Sequence, residues 1–296
     1  MKSKIADQDV GEADIRVLEP DDIERLRLGW WSRFDADDVQ KRIGQMPGVS
    51  VWSPSTSEYL LAGPWRHRLD IVYVVELLAI RHPVELMRRA IAEARAAGIK
   101  LFLAVEMAER RQPVFYERSG LQQLEDVVSY ELTHVRDRPK RGMTSNISAA
   151  GALDDVTLRE LHDVDWNAFP WIWRNSDDEF REYVTQPGVE IHVLREGSVP
   201  IGYIGISSYP GWGHIDRIAV KKPWQGRGFG RQLTEYAIDR LVALGATKIG
   251  LSTQQRNDRS QSLYETLGFR RQSSGEYRIY GAVLTSGDSI EELVMG

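Results

Sequence analysis

The sequence predicts an α/β protein with mixed (α+β) sheets, built as two tandem copies of one unit, and three observations carry that prediction. First, "FYERSGL", Phe115 to Leu121, returns as "LYETLGF", Leu263 to Phe269, 148 positions on, half of the 296-residue chain. Such a duplication sets the architecture before any local motif does. Second, the segments upstream of both copies, "LMRRAIAEARAAGIKLFLAV" and "LTEYAIDRLVALGATKIGLS", each read as an amphipathic helix, a glycine near its end and a short apolar strand. Third, β-rich segments punctuated by turns lead into strand, helix, strand units in the second half. Antiparallel strands running into parallel ones make mixed antiparallel/parallel sheets flanked by helices.

The elements follow in order. In the first copy Met87, Ala90, Ile91 and Ala94 fall on one helical face. "RDRPKRGMTSNISAAG", Arg136 to Gly151, is polar, carries Pro139 and two glycines, and has no sustained period, so it reads as a linker. The expected division is therefore 1–135, a linker 136–151, and 152–296. Four basic residues in six at the linker's start suit either nucleic acid or a solvated connector, and the acidic total favours the connector. "VEIHVLRE" and "VPIGYIGISSY" are strands separated by Gly197 and Ser198, a hairpin signal. "WGHIDRIAV" follows a turn at Pro210 and Gly211. Strict alternation there places His214, Asp216, Ile218 and Val220 on one face, with Ile215, Arg217 and Ala219 on the other. Next come "WQGRGFGRQL", a helix with Leu233, Tyr236, Ala237, Leu241 and Leu244 on one side, the strand "KIGLS", a helix from about Asn257, and terminal strands "FRRQ" and "EYRIYGAVL".

Composition bounds the function. The chain is 42% apolar and 27% charged, ordinary for a protein with a substantial core. A net charge of -5 gives no overall attraction to nucleic acid or an anionic membrane. With no cysteine, disulfides, thiolate metal sites and a cysteine nucleophile are excluded, and no metal is expected. "MKSKIADQDVGEAD" lacks a signal-peptide apolar stretch, and runs such as "IVYVV" are too short to span a bilayer. The expectation is a cytoplasmic protein, monomer or homodimer.

Gly226, Gly228 and Gly230 stand at alternate positions just before a helix. Glycine permits positive φ and close approach to the backbone, so several N–H groups can point into one concavity, and the helix dipole favours an anion there. Arg227 and Arg231 add charge. The same glycines equally suit a plain strand-to-helix turn. "GRGFGRQL" lacks the GxxxxGK spacing of an ATP-binding loop. It also lacks the last glycine and strand-end carboxylate of a dinucleotide site.

"QGRGFG" does match QxxGxG. With "IDRIAV" before it and "NDRSQSLYETLGF" after it, the segment resembles the GNAT acetyltransferase superfamily over nearly all of Asp154 to Leu284. The tandem form with one degenerate copy is similar to a mycothiol synthase-like arrangement, giving two tandem GNAT-like domains. The resemblance implies acetyl-CoA as cosubstrate, its pyrophosphate on the amides of Gln225, Gly226, Arg227, Gly228, Phe229, Gly230 and Arg231. It also implies that the pantetheine arm pairs with Ile218, Ala219 and Val220, and that Asn257 contacts the coenzyme.

Acetyl transfer to an amine needs a proton acceptor for the amine and a donor for the departing thiolate, whose intrinsic pKa is ~8.5. No covalent intermediate is required. By the resemblance Tyr264 is the acid, and His214, with Asp216 next to it, the base; the alternative for Asp216 is to bind the cationic acceptor. Read bare, Tyr264 is a ring packed on the sheet, as Tyr116 is in the first copy, and His214 a half-exposed strand residue. Trp166, Phe169, Trp171 and Trp173 lie where an acceptor pocket is expected, near Asp177, Asp178 and Glu179 at a helix start. Where the second copy has "KKPWQGRGFG", the first passes through "RHP", with Pro83 in its helix's first turn. That half is expected to bind no coenzyme, and to be kept for pairing strands or packing between copies, with "GWWSRF" and "VWSPS" as surfaces to bury. The expected activity is transfer of acetyl to a primary amine of a small molecule or peptide by direct attack in a ternary complex. A non-catalytic acyl-CoA-binding sensor or assembly module is the alternative.

Overall fold

The computed structural model describes residues 14–30, 32–107, 109–137, 146–287 and 289–295. Helices form where apolar residues recur on one side. α2 (Pro83–Ala96) opens on its proline and buries Leu86, Met87, Ala90, Ile91 and Ala94. Its counterpart α6 (Phe229–Ala243) buries Leu233, Ala237, Ile238 and Leu241. The remaining helices are α1 (Ala36–Gln45), α3 (Pro113–Arg118), α4 (Asp155–Ala168), α5 (Asp177–Thr185) and α7 (Asp258–Thr266).

The strands of the first half are β1 (Arg16–Val17), β2 (Val51–Ser53), β3 (Glu58–Trp65), β4 (Arg68–Leu78), β5 (Leu101–Met107) and β6 (Gln122–Leu132). Those of the second are β7 (Ile147–Ala149), β8 (Val189–Glu196), β9 (Val199–Tyr209), β10 (Trp212–Val220), β11 (Lys248–Gln254) and β12 (Arg270–Val283). Among the described residues these twelve strands form one sheet, ordered β1-β2-β3-β4-β5-β12-β6-β11-β10-β9-β8-β7. Pairing is antiparallel except at β4–β5 and β10–β11, which are parallel.

The two halves exchange their last strands. β12 lies between β5 and β6, and β6 lies between β12 and β11. Backbone groups that each strand would otherwise leave unpaired find ladder partners across the boundary. Side chains follow. Val128, Tyr130 and Leu132 of β6 are buried with Leu233, Leu251 and Phe269 of the second half, while Tyr280 of β12 is buried with Leu86, Phe102 and Leu121 of the first. Full burial of each such side chain contributes ~1.5–3 kcal/mol.

Several expectations change here. Of the linker, residues 138–145 lie outside those described, and Ile147–Ala149 forms β7, pairing with β8. "FRRQ" and "EYRIYGAVL" are one strand, β12, whose register shifts between Gln272 and Tyr277 around Gly275 at φ 83. Trp52 is buried in the first half's own core with Val39, Ile43 and Tyr59 rather than against the second, and Trp30 is exposed. Trp31 lies outside the described residues. Beside the exchanged strands, the β3–β4 turn also joins the halves. Trp65 Nε1 donates to the Ile172 carbonyl at 2.9 Å, and Arg68 Nη1 to the Trp171 carbonyl at 2.5 Å. Beneath them Ile71, Leu103, Leu124 and Val127 pack with Ile172, Trp173, Ile279 and Val294.

β10 and β11 pair only from Trp212–Ile215 to Lys248–Leu251, although both strands continue. Past that point they part, and the opening positions the site.

Candidate active site

The parting begins at a β-bulge. On β9, Ile206 faces Ile215 and the adjacent Gly205 faces Arg217, which leaves Asp216 as the extra residue. A bulge reverses the alternation beyond it. Gly213 and Ile215 face α6, as do Ile218 and Val220, whereas Ala219 is buried with Leu158, Phe180 and Tyr203 on the α4–α5 side. Asp216 and Arg217 reach that side too: Asp216 accepts from Ser207 Oγ at 2.6 Å and Tyr183 Oη at 3.4 Å, and Arg217 pairs with Asp165. The single alternating face drawn through His214, Asp216, Ile218 and Val220 is therefore corrected to two, split at the bulge.

Beyond Val220 the chain turns through Lys222–Trp224 and returns on itself, with Gln225 Nε2 donating to the Val220 carbonyl at 2.9 Å. Gly226 and Gly228 both take φ 87, the left-handed region that favours glycine. Gly228 immediately precedes α6, and no side chain caps that helix, whereas Asp154, Ser176 and Asn257 cap α4, α5 and α7. The first N–H groups of α6 have no intrahelical acceptor, and a Cβ built on Gly228 would meet nothing within 4 Å. The turn is an open cradle of donors. Arg231 Nη2 donates to Thr266 Oγ1 at 2.6 Å, and the Arg227 guanidinium lies 5.0 Å from the Trp224 ring centroid.

A cavity of about 720 Å³ runs from this cradle into the opening between β10 and β11. It brings together Gln225, Gly226, Gly228, Gly230 and Arg231 at one end, with Ile218, Val220, Asn257 and Tyr264 along it. Ala219, Arg227 and Phe229 do not line it. A smaller space of about 170 Å³ adjoins it, lined by Asp216, Arg217, Tyr264, Tyr277 and Arg66 among others. Tyr264 therefore borders both. His214 lines neither; its Nδ1 donates to Asp216 Oδ1 at 2.6 Å from behind.

Burial pushes the Tyr264 phenol up to about 12, against a smaller lowering by a hydrogen bond with Ser260. Its counterpart Tyr116 has a different setting, with its ring stacked on Tyr280 at 4.1 Å. Around the smaller space, burial works against the Arg217 cation and the Asp165 carboxylate, with neighbouring Tyr203 and Tyr183, works for it; the balance holds the group above its ordinary value. Arg217 Nη2 also donates to the Trp173 carbonyl at 2.8 Å, and its guanidinium stands over Phe169. Of the expected aromatics, Phe169 and Trp173 line both spaces, while Trp166, partly exposed, packs against His162 and Arg174, and Trp171 lies under Arg68. Asp177, Asp178 and Glu179 form the first turn of α5, with Asp177 2.7 Å from His162.

Sequence reasoning missed the first half's share. Glu125 of β6 lines the larger cavity and accepts from Arg256 Nε at 2.8 Å, and Arg66 at the β3–β4 turn lines the smaller one. Only the strand exchange brings Glu125 there, so no local pattern marks it. The run "WRHR" between two apolar strands was the available sign of Arg66.

Comparison with known proteins agrees with this geometry. The profile of the acetyltransferase (GNAT) family matches residues 158–269. The uncharacterized N-acetyltransferase YvbK of Bacillus subtilis is 38% identical over 122 residues, 41% of this chain and 74% of that protein. The chain belongs to the GNAT acetyltransferase family. This GNAT protein is thus an acyltransferase. Its fold is shared with a GCN5-related N-acetyltransferase from Sphaerobacter thermophilus, at TM-score 0.58 and 16% identity over 93% of this chain and 96% of that one. It is shared also with a tandem GNAT protein from the clavulanic acid biosynthesis pathway, at TM-score 0.51 and 14% identity over 93% and 99%. Among the described residues, no helix is long and apolar enough to cross a membrane.

Proposed function

We propose that this GNAT protein transfers an acetyl group from acetyl-CoA to a primary amine of a small molecule or peptide by direct attack within a ternary complex. The observation that carries the reading is the open, glycine-lined start of α6 continuing into the parting of β10 and β11, with Tyr264 at the far end. The amides from Gln225 to Arg231 would hold the pyrophosphate, and the strand edge from Ile218 to Val220, with Asn257, would hold the pantetheine arm. The amine nitrogen attacks the thioester carbonyl. A C–N bond forms, the C–S bond breaks, the sulfur takes a proton from Tyr264, and the amine's proton passes to Asp216 directly or through water. His214 acts behind Asp216 as a positioning residue through its 2.6 Å hydrogen bond.

The same reading leaves the first half without coenzyme. Its counterpart of the cradle, just before α2, is filled from within: Glu58 accepts from the backbone N–H of Ile80 at 2.9 Å, Arg81 at 2.7 Å and His82 at 3.0 Å. A carboxylate already holds the donors that a phosphate would need. The test is thiol release from acetyl-CoA across polyamines, aminoglycosides, amino acids and peptides, where amine-dependent release supports the reading. Coenzyme binding without amine-dependent release from any of them would remove it.

A further inference from the structure

We propose that the acceptor carries a free carboxylate beside its amine, and that Arg66, contributed by the first half, binds that carboxylate. This rests on the acetyl-transfer reading and narrows its substrate class to small amino acids and close analogues. Arg66 lies at the β3–β4 turn with φ 53, followed by His67 at φ 51, an uncommon backbone for two successive residues other than glycine. The turn is held against the second half, and Arg66 there lines the 170 Å³ space that Asp216 and Tyr264 also line.

The charge of Arg66 meets no carboxylate of its own, only the rings of Trp65 and Trp173, whose centroids lie 5.7 and 5.4 Å from its guanidinium carbon. Its Nη1 donates to Asn175 Oδ1 at 2.6 Å, a neutral partner, and its Nε is buried with no hydrogen-bond acceptor. Among the described residues it makes no ion pair. The two carboxylates that favour its charge are engaged elsewhere, Asp165 by Arg217 and Tyr203, and Glu179 opposite His67 at 3.5 Å. A half-buried cation without a counter-ion is costly, and its cost falls when an anion arrives. An aspartate in place of Asn175 would have closed the pair internally; the asparagine leaves it open. Across the same space Asp216 suits an ammonium or the amine derived from it. A cation and a carboxylate lining one space of this size match the two ends of an amino acid. A peptide N-terminus, whose adjacent carbonyl is an amide, offers Arg66 no charge.

Matched acceptors test this: an amino acid, its carboxamide, the decarboxylated amine and a tripeptide amide with the same first residue, each assayed for thiol release with acetyl-CoA. The acid should exceed the other three by about 10- to 100-fold in kcat/KM, the scale of a hydrogen-bonded charge. Asn175→Asp, nearly isosteric, should erase that advantage while coenzyme affinity stays at the wild-type value, and Arg66→Gln should do the same. Equal use of acid and carboxamide, or an advantage that survives Asn175→Asp, overturns the proposal with acetyl transfer intact. Failure to acetylate any amine despite coenzyme binding overturns the acetyl-transfer reading, and this one with it.

Discussion

Tyr264 keeps its proton because burial disfavours the phenolate, which places its pKa at about 12. The phenol is therefore protonated throughout the neutral range, although its raised pKa also makes it a weaker acid than the ~8.5 thiol it would form, and the rate should not fall through its ionisation across that range. Tyr264→Phe should lower kcat by about 10²- to 10⁴-fold, the usual share of one general acid, with coenzyme affinity nearly unchanged in calorimetry. Wild-type turnover in that variant would exclude it as the proton donor. Gly228 sets a different requirement. At φ 87 with open space before it, a valine would be a backbone outlier, and its side chain would stand in the proposed phosphate cradle. Both positions were singled out in the sequence, Tyr264 through the GNAT resemblance of "LYETLGF" and Gly228 through the glycine spacing. Arg66 and Glu125 were not, because each reaches the site across the boundary between halves.

At the scale of elements, the contrast between α2 and α6 is the informative one. Glu58 closes the turn before α2. Burial alone would raise its pKa, but the three backbone N–H groups and nearby His82 outweigh that and hold it below the ordinary 4.5. A group depressed in the folded state adds stability above its unfolded pKa, and that contribution is lost as pH falls through the folded one. Glu58→Gln should therefore lower stability by about 1.5–3 kcal/mol at pH 7, read by urea denaturation. It should also flatten the loss of stability below pH ~4.5 that the wild type shows. An unchanged acid limb would mean that the carboxylate is not what holds that turn. The order and span of most strands and helices followed from periodicity and turn residues. The reversal within "GHIDRIAV" did not, since alternation assumes an unbroken ladder and the extra residue at Asp216 can be seen only against β9.

For the whole molecule, the exchange of β6 and β12 is the governing feature. Their hydrogen bonds and buried side chains cross between halves, so a fragment 152–296 would expose β11 and strip its core of Val128, Tyr130 and Leu132. Separate expression of 1–135 and 152–296 should give insoluble or unfolded fragments, and co-expression a folded complex; stable, independent fragments would contradict a shared sheet. The duplication was plain from the 148-residue repeat, but which half each last strand completes was not, because both copies end in similar strands and nothing local chooses the partner. The central claim, that one of two related bends binds the coenzyme, is tested most directly by titrating acetyl-CoA into the wild type, Gly228→Val and Glu58→Gln by calorimetry. The account predicts one coenzyme per chain, abolished by Gly228→Val in a protein that remains folded by circular dichroism and kept in Glu58→Gln. Two coenzymes per wild-type chain, or undiminished binding in Gly228→Val, would contradict it.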